Sequence, residues 1–455
     1  MAAPKYEIIQ KQFQNPHASA PLFIPVLVLC NTSDEDLERN IRANTASERR
    51  WLMAKAAHAG VAVMVGGGPS LRDEVEEVRR LQEQGATVFA INGASAWLGK
   101  QGIAVDYQVI ADAKDETATL VDLGARAHLF ASQVSAATMN RVADPIVWHL
   151  AIDDVESFFP PARKARGGYA LIGGGHTGNS ALCAAYALGF RDLRIFGYDS
   201  SHRGEESHAY RQSMNDFIPT VEVEWAGRTF TSSVAMKGQA EKFRLTSQAL
   251  KQAGCTLAVY GDGLLQHMFN TPIVELSERD KYRLMWQFDT YREVSPGEQT
   301  AAAFLAVAQP DGLIIDFGCG TGRAALALNK AGHDVLLIDF ADNCRDDETL
   351  GLPFLEWDLT VPCPARAPYG FCSDVMEHIP PADSEAALSA MFQSAERIFF
   401  RIGRDHDLCG ALIGHDLHLA LRTHAEWRAI MERHGRIVSE AEGEDYSIFY
   451  VTKDQ

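Results

Sequence analysis

The sequence lacks the features that would direct it into or across a membrane. The apolar run PLFIPVLVLC is too short to span a bilayer and is interrupted by proline. The N-terminus has neither the positively charged start nor the small-residue cleavage site of a signal peptide. We therefore expect a cytoplasmic protein without a membrane partner.

Paired cysteines are also missing. None of the eight cysteines belongs to a Cys-x-x-Cys pair, the spacing that redox motifs and many zinc sites use. Scattered cysteines are typical of a reducing compartment, where disulfides are rare. We expect small buried side chains here rather than a disulfide framework or a zinc site. The cysteines are Cys30, Cys183, Cys255, Cys319, Cys344, Cys363, Cys372 and Cys409.

Basic residues are fewer than acidic residues in this sequence. With 42 basic against 60 acidic residues the formal net charge is −18, which disfavours broad electrostatic binding to nucleic acid or anionic lipid. The hydrophobic share of 46% and the charged share of 22% are those of an ordinary globular protein. A length of 455 residues allows two or three domains, each with its own core.

The most informative stretch is GLIIDFGCGTGR, residues 312–323. Its apolar run predicts a buried strand ending at Asp316, and a helix is predicted to follow in AALALNKAG. Between them stand Gly318, Gly320 and Gly322, which have no Cβ and allow backbone N–H groups and a helix N-terminus to approach a ligand. Dinucleotide-binding turns and plain tight turns use the same spacing, so its surroundings must narrow the choice.

Three ordered motifs follow the glycine turn. The next predicted strand, HDVLLIDF, places Asp339 at its carboxyl end, about 20 residues on, where a carboxylate can hold two ribose hydroxyls. EWDLT then supplies Asp358, and FCSDVMEHIP ends another strand. Together with DFGCGTG, these motifs resemble the class I S-adenosylmethionine-dependent methyltransferases over roughly residues 300–455.

The resemblance implies S-adenosylmethionine as the cofactor. Gly318–Gly322 would hold its amino-acid end, Asp339 its ribose, and Asp358 with Leu359 its adenine edge. Asp316 is a further candidate for cofactor binding, with anchoring of the glycine turn as its structural interpretation. DVMEHIP would place Asp374, Glu377 and His378 beside the acceptor pocket. His378 is a candidate general base, although the same motif also fits the start of a helix.

A histidine-rich segment, residues 397–424, follows the next predicted strand. His406, His415, Asp416 and His418 suggest a metal site, but the spacing H-D-x-H fits no strong ligand pattern, and a polar lid over the acceptor is favoured. RIVSEAEGEDYSIFYVT resembles the terminal strand hairpin of these methyltransferases.

The N-terminal part contains a second α/β pattern. Strands alternate with helices from Val61 onward, which predicts a mostly parallel sheet covered on both faces. Ligands bind beyond the carboxyl ends of such strands, and several polar or glycine-rich segments lie there. They are Gly66–Ser70, Asn92, Asp112, Gly173–Thr177 and Asp199.

Each of these positions has a ligand-binding and a structural interpretation. In GGGPSL, Gly66, Gly67 and Gly68 allow close backbone approach, Pro69 suits a first helical turn and Ser70 adds a hydroxyl; a tight turn without ligand uses the same residues.

The remaining candidates likewise have both a ligand-binding and a structural interpretation. Asn92 can bind a base or sugar or cap a turn, and Asp112 and Asp199 can hold Mg²⁺ or ribose or act as caps. His176, beside Thr177, and His208 are candidate bases, or make loop hydrogen bonds.

Taken together, the segments resemble the 6-hydroxymethylpterin diphosphokinase-like domain, which the motility-associated-factor glycosyltransferases share. The resemblance covers about residues 35–270 and rests on GGGPSL, INGAS, the strand ending at Asp112, GGGHTGNSALCAAYALG and GYDSSHRGEESHAY. It implies a nucleotide at Gly66–Leu71 and transfer of a diphosphate or a sugar from a nucleotide donor. GGGHTGN departs from the shorter Gly-Gly-Ser turn of the family, so no role is carried over to His176.

The predicted architecture is α/β, with two Rossmann-like doubly wound sheet domains in tandem. Residues 1–60 form a helical lead-in, with helical periodicity over residues 33–57, and residues 61–275 form the nucleotide-binding domain. A helical connector, residues 276–299, whose aromatic side chains pack, leads to the methyltransferase domain at 300–455.

The predicted function is bifunctional: methyl transfer to a small molecule, sugar or nucleotide-linked acceptor, and glycosyl or diphosphate transfer. The alternatives for the N-terminal domain are a pterin or nucleoside diphosphokinase that uses ATP and Mg²⁺, and a non-catalytic binding domain. The expected partners are a small-molecule or glycan substrate and a nucleotide donor. Nucleic acid is not expected, and the oligomeric state stays open.

Overall fold

The computed structural model divides the chain into two compact units, Met1–Pro272 (unit 1) and Ile273–Gln455 (unit 2). The residues it describes are 9–13, 22–26, 32–46, 49–150, 155–167, 169–173, 175–211, 218–271, 276–295, 297–407 and 409–453. Cys30 and Gly174 of the predicted features lie outside these ranges.

Unit 1 is built on a nine-stranded sheet in which every strand pair is parallel. Its strands are β3 (Arg50–Trp51), β4 (Val61–Val65), β5 (Thr87–Ile91), β6 (Tyr107–Ile110), β7 (Ala127–Ala131), β8 (Ile146–Leu150), β9 (Leu171–Ile172), β10 (Asp192–Phe196) and β13 (Thr256–Val259). They lie in the order β13-β10-β4-β5-β6-β7-β8-β3, and β9 pairs with β8.

Two antiparallel pairs and eight helices accompany this sheet in the described part of unit 1. The pairs are β1 (Ile9–Phe13) with β2 (Leu22–Val26), and β11 (Val221–Trp225) with β12 (Arg228–Ser232). The helices are α1 (Asp34–Ala46), α2 (Leu71–Glu83), α3 (Ala94–Lys100), α4 (Ala136–Met139), α5 (Pro161–Arg166), α6 (Thr177–Ala187), α7 (Val234–Gln252) and α8 (Leu264–Asn270).

The helices of unit 1 bury the faces that their sequences make apolar. In α2 the buried residues Leu71, Val78 and Leu81 lie on one face of an otherwise charged helix. In α6 every residue from Asn179 to Ala187 is buried, because its alanines and other small side chains allow close packing on both sides. β11 and β12 form a hairpin that turns at Ala226 and Gly227, both of which have a positive φ.

The lead-in is less helical than its periodicity predicts. α1 ends at Ala46, whereas a helix was expected over residues 33–57. Arg50 and Trp51 instead form β3, which pairs with β8, and the Trp51 ring packs 5.0 Å from that of Phe159. Pairing with the sheet edge and burial of this aromatic ring outweigh the local helical pattern.

Unit 2 contains a seven-stranded sheet in the order β16-β15-β14-β17-β18-β20-β19. Its strands are β14 (Ile314–Phe317), β15 (Val335–Asp339), β16 (Phe354–Glu356), β17 (Ala367–Ser373), β18 (Ala395–Gly403), β19 (Arg436–Glu442) and β20 (Tyr446–Thr452). The first five in sheet order pair in parallel, and β20 is antiparallel to both of its neighbours. The predicted terminal hairpin is therefore confirmed.

The helices of unit 2 cover this sheet. They are α9 (Glu278–Met285), α10 (Asp289–Glu293), α11 (Glu298–Ala308), α12 (Arg323–Lys330), α13 (Ser384–Ser394) and α14 (His424–Met431). On α11, the ring of Phe304 packs 5.6 Å from that of Phe371 and 5.8 Å from that of Phe399. Within the described ranges, no helix is both long enough and apolar enough to cross a bilayer. The predicted fold class, α/β with two largely parallel sheets, is confirmed.

Candidate functional site

The glycine turn of unit 2 connects β14 to α12. Gly318, Gly320 and Gly322 all have left-handed backbones, with φ of 72°, 50° and 80°. A Cβ at Gly318 would lie 2.6 Å from the Val375 side chain, and one at Gly320 would lie 2.9 Å from the Trp286 ring. Both the conformation and the close packing therefore require glycine at this turn.

A buried carboxyl group, Asp316, lies at the end of β14. Its Oδ2 atom has no hydrogen-bond partner among the described residues. Burial, and secondarily the charge of Asp339, raises its pKa to about 8. Buried carboxyl groups are normally hydrogen-bonded or paired with a charge. The free oxygen is thus available to a polar or cationic ligand.

Asp339 lies at the end of the neighbouring strand β15. Its Oδ2 accepts a hydrogen bond of 3.1 Å from the Gly320 N–H, and its Oδ1 accepts one of 2.9 Å from the Ala341 N–H. Burial raises its pKa to about 6, although these backbone bonds oppose the shift. The side chain predicted to hold a ribose therefore also fixes the glycine turn against β15.

A cavity of about 150 Å³ opens beside this turn. It brings together five of the predicted site residues: Asp316, Gly318, Gly320, Asp374 and His378. The other lining residues are Trp286, Tyr291, Val294, Ser295, Cys319, Ala324, Phe371, Ser373, Asp407 and His418.

Sequence reasoning missed the contribution of the connector. Trp286 and Tyr291 are buried, as predicted, with ring centroids 4.7 Å apart, but they also form a wall of the cavity. Ser295 accepts a hydrogen bond of 3.0 Å from the Thr321 hydroxyl and so ties the connector to the glycine turn. The only signal in the sequence is the concentration of aromatic residues just before the motif.

Asp358 lies in a second, larger cleft of about 470 Å³. Its Oδ1 accepts hydrogen bonds from the Thr360 N–H (2.8 Å) and hydroxyl (2.7 Å). The adjacent Leu359 packs against the apolar core. Gly322 lies at the N-cap of α12, where it packs against Thr349, and it lines neither cavity. The cleft is lined by Glu278, Arg279, Phe340, Glu356, Trp357, Asp358 and Val361.

His378 lies on the far side of the smaller cavity, in the short helix Met376–His378. Its Nδ1 is 2.7 Å from the Tyr282 hydroxyl. Desolvation, and secondarily the charge of His418, lowers its pKa to about 3. Of the four polar residues predicted to form a lid, only His418 lines this cavity.

Asp374, whose backbone has a φ of 55°, is held in the wall of the same cavity. It forms an ion pair with Arg401 and accepts a hydrogen bond of 2.7 Å from the Ser373 hydroxyl. Its N–H donates to the Arg401 carbonyl at 2.8 Å. The carboxylate is therefore fixed against β18.

In unit 1 the GGGPSL turn packs tightly against the end of β10. A Cβ at Gly66 would overlap the Gly197 carbonyl, and one at Gly68 would overlap the Asp199 carboxylate. Asp199 is buried and accepts hydrogen bonds from the Ser70 N–H (2.8 Å) and the Gln266 side chain (2.7 Å). Burial raises its pKa. Asp199 therefore anchors the turn.

Pro69 precedes the helix rather than opening it, because α2 begins at Leu71. Ser70 occupies the N-cap position, but its side chain makes no capping hydrogen bond. Its Oγ is buried, and a hydrogen bond from this side chain opposes the rise in the pKa of the Asp199 carboxyl group. The hydroxyl predicted for ligand binding therefore contacts the carboxylate that anchors the turn.

The middle glycine of the turn is covered by a loop of the same unit. A Cβ at Gly67 would lie 2.7 Å from the Tyr210 hydroxyl and 2.9 Å from the His208 ring, and the Ala209 N–H donates to the Gly67 carbonyl at 2.8 Å. Desolvation, and secondarily His202, lowers the pKa of His208 to about 4. The predicted polar loop thus lies over the glycine turn.

The remaining predicted residues of unit 1 lie at neighbouring strand ends. Asn92 has a φ of 50° and a buried Oδ1 without a partner in the part of the chain that is described. Asp112 Oδ1 accepts a hydrogen bond of 2.9 Å from the Lys114 N–H. His176 precedes Thr177, the first residue of α6; its pKa is lowered to about 3 by desolvation and secondarily by Lys242.

Residues 37–205 match the family described as 6-hydroxymethylpterin diphosphokinase MptE-like. The match confirms the resemblance predicted for this segment from GGGPSL and the motifs that follow it. No curated protein matches the chain significantly.

Solved structures of two kinds of enzyme are similar to the chain. The MAf glycosyltransferase from Magnetospirillum magneticum is 20% identical, with a TM-score of 0.39; 50% of this chain is covered and only 36% of that one. Magnesium protoporphyrin IX methyltransferase from Synechocystis, with bound SAM, is 19% identical over 40% of this chain and 100% of that one (TM-score 0.32). 1,6-Didemethyltoxoflavin-N1-methyltransferase from Burkholderia thailandensis is 16% identical over 41% and 95% (TM-score 0.32).

Proposed function

We propose that unit 2 transfers a methyl group from S-adenosylmethionine to a small molecule, a sugar or a nucleotide-linked acceptor. The observation that carries the proposal is the cavity in which Gly318 and Gly320 meet Oδ2 of Asp316, an atom with no hydrogen-bond partner in the part of the chain that the structure describes. The cofactor carries an ammonium group, and a buried carboxyl next to a glycine turn is suited to bind a cation of that size. Its charge would stabilise the ionised carboxylate.

The ribose and the adenine of the cofactor also have candidate ligands in unit 2. Each carboxylate oxygen of Asp339 accepts one backbone bond and keeps a further lone pair for a ribose hydroxyl. The cleft that contains Asp358 also presents the aromatic rings of Phe340 and Trp357, against which a purine can stack.

Methyl transfer from a sulfonium requires positioning more than proton chemistry, because the cofactor itself is activated. Trp286 and Tyr291 provide aromatic faces in the wall of the cavity, and such faces attract a sulfonium cation. With a pKa of about 3, the His378 ring is neutral but weakly basic near pH 7. It therefore suits binding of the acceptor better than removal of its proton.

Calorimetric titration of the full chain with S-adenosylmethionine tests this proposal. We expect one equivalent to bind, and Asp339→Ala to weaken binding by about 30-fold, equal to about 2 kcal/mol for lost charge-assisted hydrogen bonds. Glu348→Ala, an exposed acid after the same strand, is the matched control and should leave the affinity unchanged. Failure of the unmodified protein to bind the cofactor would contradict the proposal.

For unit 1 we propose a nucleotide at Gly66–Leu71 and transfer of a diphosphate or a sugar from it. The family match over residues 37–205 supports this, as does the buried Oδ1 of Asn92, which has no hydrogen-bond partner among the described residues. Fusion with unit 2 suggests that the two units act in sequence on one product.

Thermal denaturation with different donors separates the alternatives for unit 1. ATP with Mg²⁺ should raise the melting temperature of a diphosphokinase, and a nucleotide-sugar that of a glycosyltransferase, because a ligand stabilises the state that binds it. Asn92→Ala should remove the shift in either case. Stabilisation by a nucleotide without turnover of any donor would favour the non-catalytic binding domain.

A further inference from the structure

Three side chains with metal-binding atoms meet on the acceptor side of the cavity in unit 2. Glu377, His378 and His418 each present one ligand atom within 4.8 Å of the others. The two histidine rings have centroids 4.6 Å apart and are nearly perpendicular, at 85°. Ligands of one ion lie about 2 Å from it, so the three groups need to draw together by only about 1 Å.

Backbone hydrogen bonds bring this cluster together across 40 residues of sequence. The Glu377 carbonyl accepts hydrogen bonds from the Leu419 N–H (2.7 Å) and the Ala420 N–H (2.9 Å). These bonds hold the segment that carries His418 against the short helix Met376–His378. The juxtaposition is thus a property of the fold and not of two mobile side chains.

Hydrogen bonds also orient both imidazole rings. His418 Nδ1 lies 2.5 Å from the Asp405 carbonyl, which can only accept a hydrogen bond, so Nδ1 carries the proton and Nε2 keeps its lone pair. His378 Nδ1 contacts the Tyr282 hydroxyl at 2.7 Å, and that hydroxyl is 3.5 Å from the Leu417 carbonyl. The Tyr282 hydroxyl therefore fixes the orientation of the His378 ring. Ring nitrogens held this way are typical of metal ligands.

Glu377 supplies an independent observation. Its side chain is completely buried, and its Oε1 accepts a hydrogen bond of 2.6 Å from the Gly403 N–H. Its Oε2 has no hydrogen-bond partner among the residues that the structure describes. A buried carboxylate oxygen without a partner is costly, and a cation between it and two neutral imidazoles would remove that cost.

We propose that Glu377, His378 and His418 bind a divalent transition-metal ion of the zinc class. Two imidazoles and one carboxylate form a donor set that zinc uses in catalytic sites, where a further coordination position stays open. Asp407, which lines the same cavity, adds negative charge near the ion.

The role of the ion rests on the proposed methyl transfer. His378 and His418 line the cavity that contains the glycine turn, so an ion between them is close to the cofactor site. An acceptor oxygen or nitrogen bound in the open position would be oriented toward the methyl group, and its affinity for protons would fall. The ion would therefore select acceptors that carry a metal-binding heteroatom.

The other cluster of metal-binding residues in the described part of unit 2 is less suited to this. Cys319, Asp339 and Cys344 also lie close together, but this cluster has no counterpart of the Glu377 Oε2 atom, which lacks a hydrogen-bond partner among the described residues. Both oxygens of Asp339 already accept backbone hydrogen bonds.

Metal titration of the full chain, stripped with a chelator and without cofactor, tests the proposal. We expect one equivalent of Zn²⁺ to bind with a submicromolar Kd, and Co²⁺ to give the visible absorption spectrum of a four-coordinate ion. His418→Ala should weaken binding by at least about 100-fold, as expected for loss of one of three protein ligands. Glu377→Gln keeps the shape of the buried side chain and should also weaken it.

His406→Ala is the matched control. His406 is an exposed histidine in the same segment and lies outside the cluster, so this variant should bind zinc like the unmodified protein. Binding to His418→Ala as tight as to the unmodified chain would overturn the proposal. So would a thiolate-to-cobalt charge-transfer band, because it would place the ion at Cys319 and Cys344.

Titration of the same stripped variants with S-adenosylmethionine separates this inference from the proposed function. Asp339→Ala, which should weaken binding of the cofactor, should bind zinc as tightly as the unmodified protein, since Asp339 lies outside the cluster of Glu377, His378 and His418. Zinc binding without cofactor binding would leave the metal site standing and refute methyl transfer, and the converse result would refute the metal site alone.

Discussion

The two glycine turns of the molecule, Gly66–Gly68 in unit 1 and Gly318–Gly322 in unit 2, both follow a buried parallel strand. In unit 1, Gly66 and Gly68 give room to the protein itself, because a Cβ would overlap Gly197 or Asp199. In unit 2, Gly318 and Gly320 are also closely packed, against Val375 and Trp286, but they border a cavity. A similar sequence pattern thus produces a turn covered by the protein in one unit and a turn open to a cavity in the other.

The strand-end carboxyl groups show the same difference. Both oxygens of Asp199 accept hydrogen bonds from within unit 1, whereas Oδ2 of Asp316 has no partner among the described residues of unit 2. A carboxylate that is fully hydrogen-bonded stabilises the fold, and one with a free buried oxygen is available for a ligand. The comparison teaches that the function of a glycine turn depends on whether the carboxyl group beside it is already hydrogen-bonded by the protein.

The largest expected effect comes from filling the open turn. Gly320→Val should weaken binding of S-adenosylmethionine by at least about 100-fold, because φ at this position is 50° and the new Cβ would lie 2.9 Å from the buried Trp286 ring. Calorimetry measures the loss. Gly67→Val is the matched variant in unit 1 and should leave cofactor affinity unchanged. Equal affinity of Gly320→Val and the unmodified chain would show that the turn does not contact the cofactor.

Removal of the anchoring carboxylate should affect stability instead. Asp199→Ala leaves the buried Ser70 N–H and the Gln266 amide without their acceptor, which we expect to lower the free energy of unfolding of unit 1 by about 3 kcal/mol. Native-state hydrogen exchange of β4 and β10 measures this in the full chain. Asp112→Ala, at another strand end, should cost less than about 1 kcal/mol. Similar protection in both variants would mean that Asp199 is not an anchor.

The sequence predicted the strand ends to within a few residues, because buried parallel strands are continuous apolar runs followed by glycine or polar residues. It could not predict which strand-end residue faces a ligand. Asp199 is held by Gln266, 67 residues away, and no local pattern records that contact. Asn92 also lies at a strand end, and only its buried Oδ1, which has no partner among the described residues, suggests a ligand.

The acceptor side of unit 2 illustrates the same limit. DVMEHIP and the histidine-rich segment were each noticed in the sequence, but their spacing gave no metal pattern. The Glu377 carbonyl and the N–H groups of Leu419 and Ala420 bring His378 and His418 together. Likewise, the aromatic residues of the connector were predicted to pack, and only the structure shows that Trp286 and Tyr291 line the cavity.

The protonation state of Asp316 gives a further test of the difference between the strand-end carboxyl groups. Because the pKa of Asp316 is raised from 3.8 to about 8, the folded protein holds a proton at pH 7 that the unfolded chain has lost, and stability should fall as pH rises from about 4 to 8. Binding of the cofactor cation should ionise the carboxyl and release up to about one proton at pH 7.

Calorimetry in buffers of different ionisation enthalpy counts these protons. Asp316→Asn should release none on binding the cofactor, and its stability should depend less on pH between about 4 and 8. Asp358→Asn, at the other end of the proposed cofactor site, is the control and should release as many protons as the unmodified chain. Equal proton release by Asp316→Asn and the unmodified chain would mean that Asp316 is not the group that titrates.

The smallest expected effect concerns the loop that covers Gly67. Arg203 pairs with Asp73 at 2.6 Å and with Asp262 at 2.8 Å, and all three side chains are exposed enough that each pair should contribute less than about 1 kcal/mol. Arg203→Ala should therefore leave global stability nearly unchanged but speed hydrogen exchange in residues 200–211, because local opening needs little free energy. Arg50→Ala removes a comparable exposed pair with Asp144, at 3.0 Å, and should leave that loop unchanged. Slower hydrogen exchange of this loop in Arg203→Ala when a nucleotide is added would mean that the glycine turn of unit 1 opens to a ligand. Exchange that stays fast with every nucleotide would mean that the two glycine turns differ in function as well as in packing.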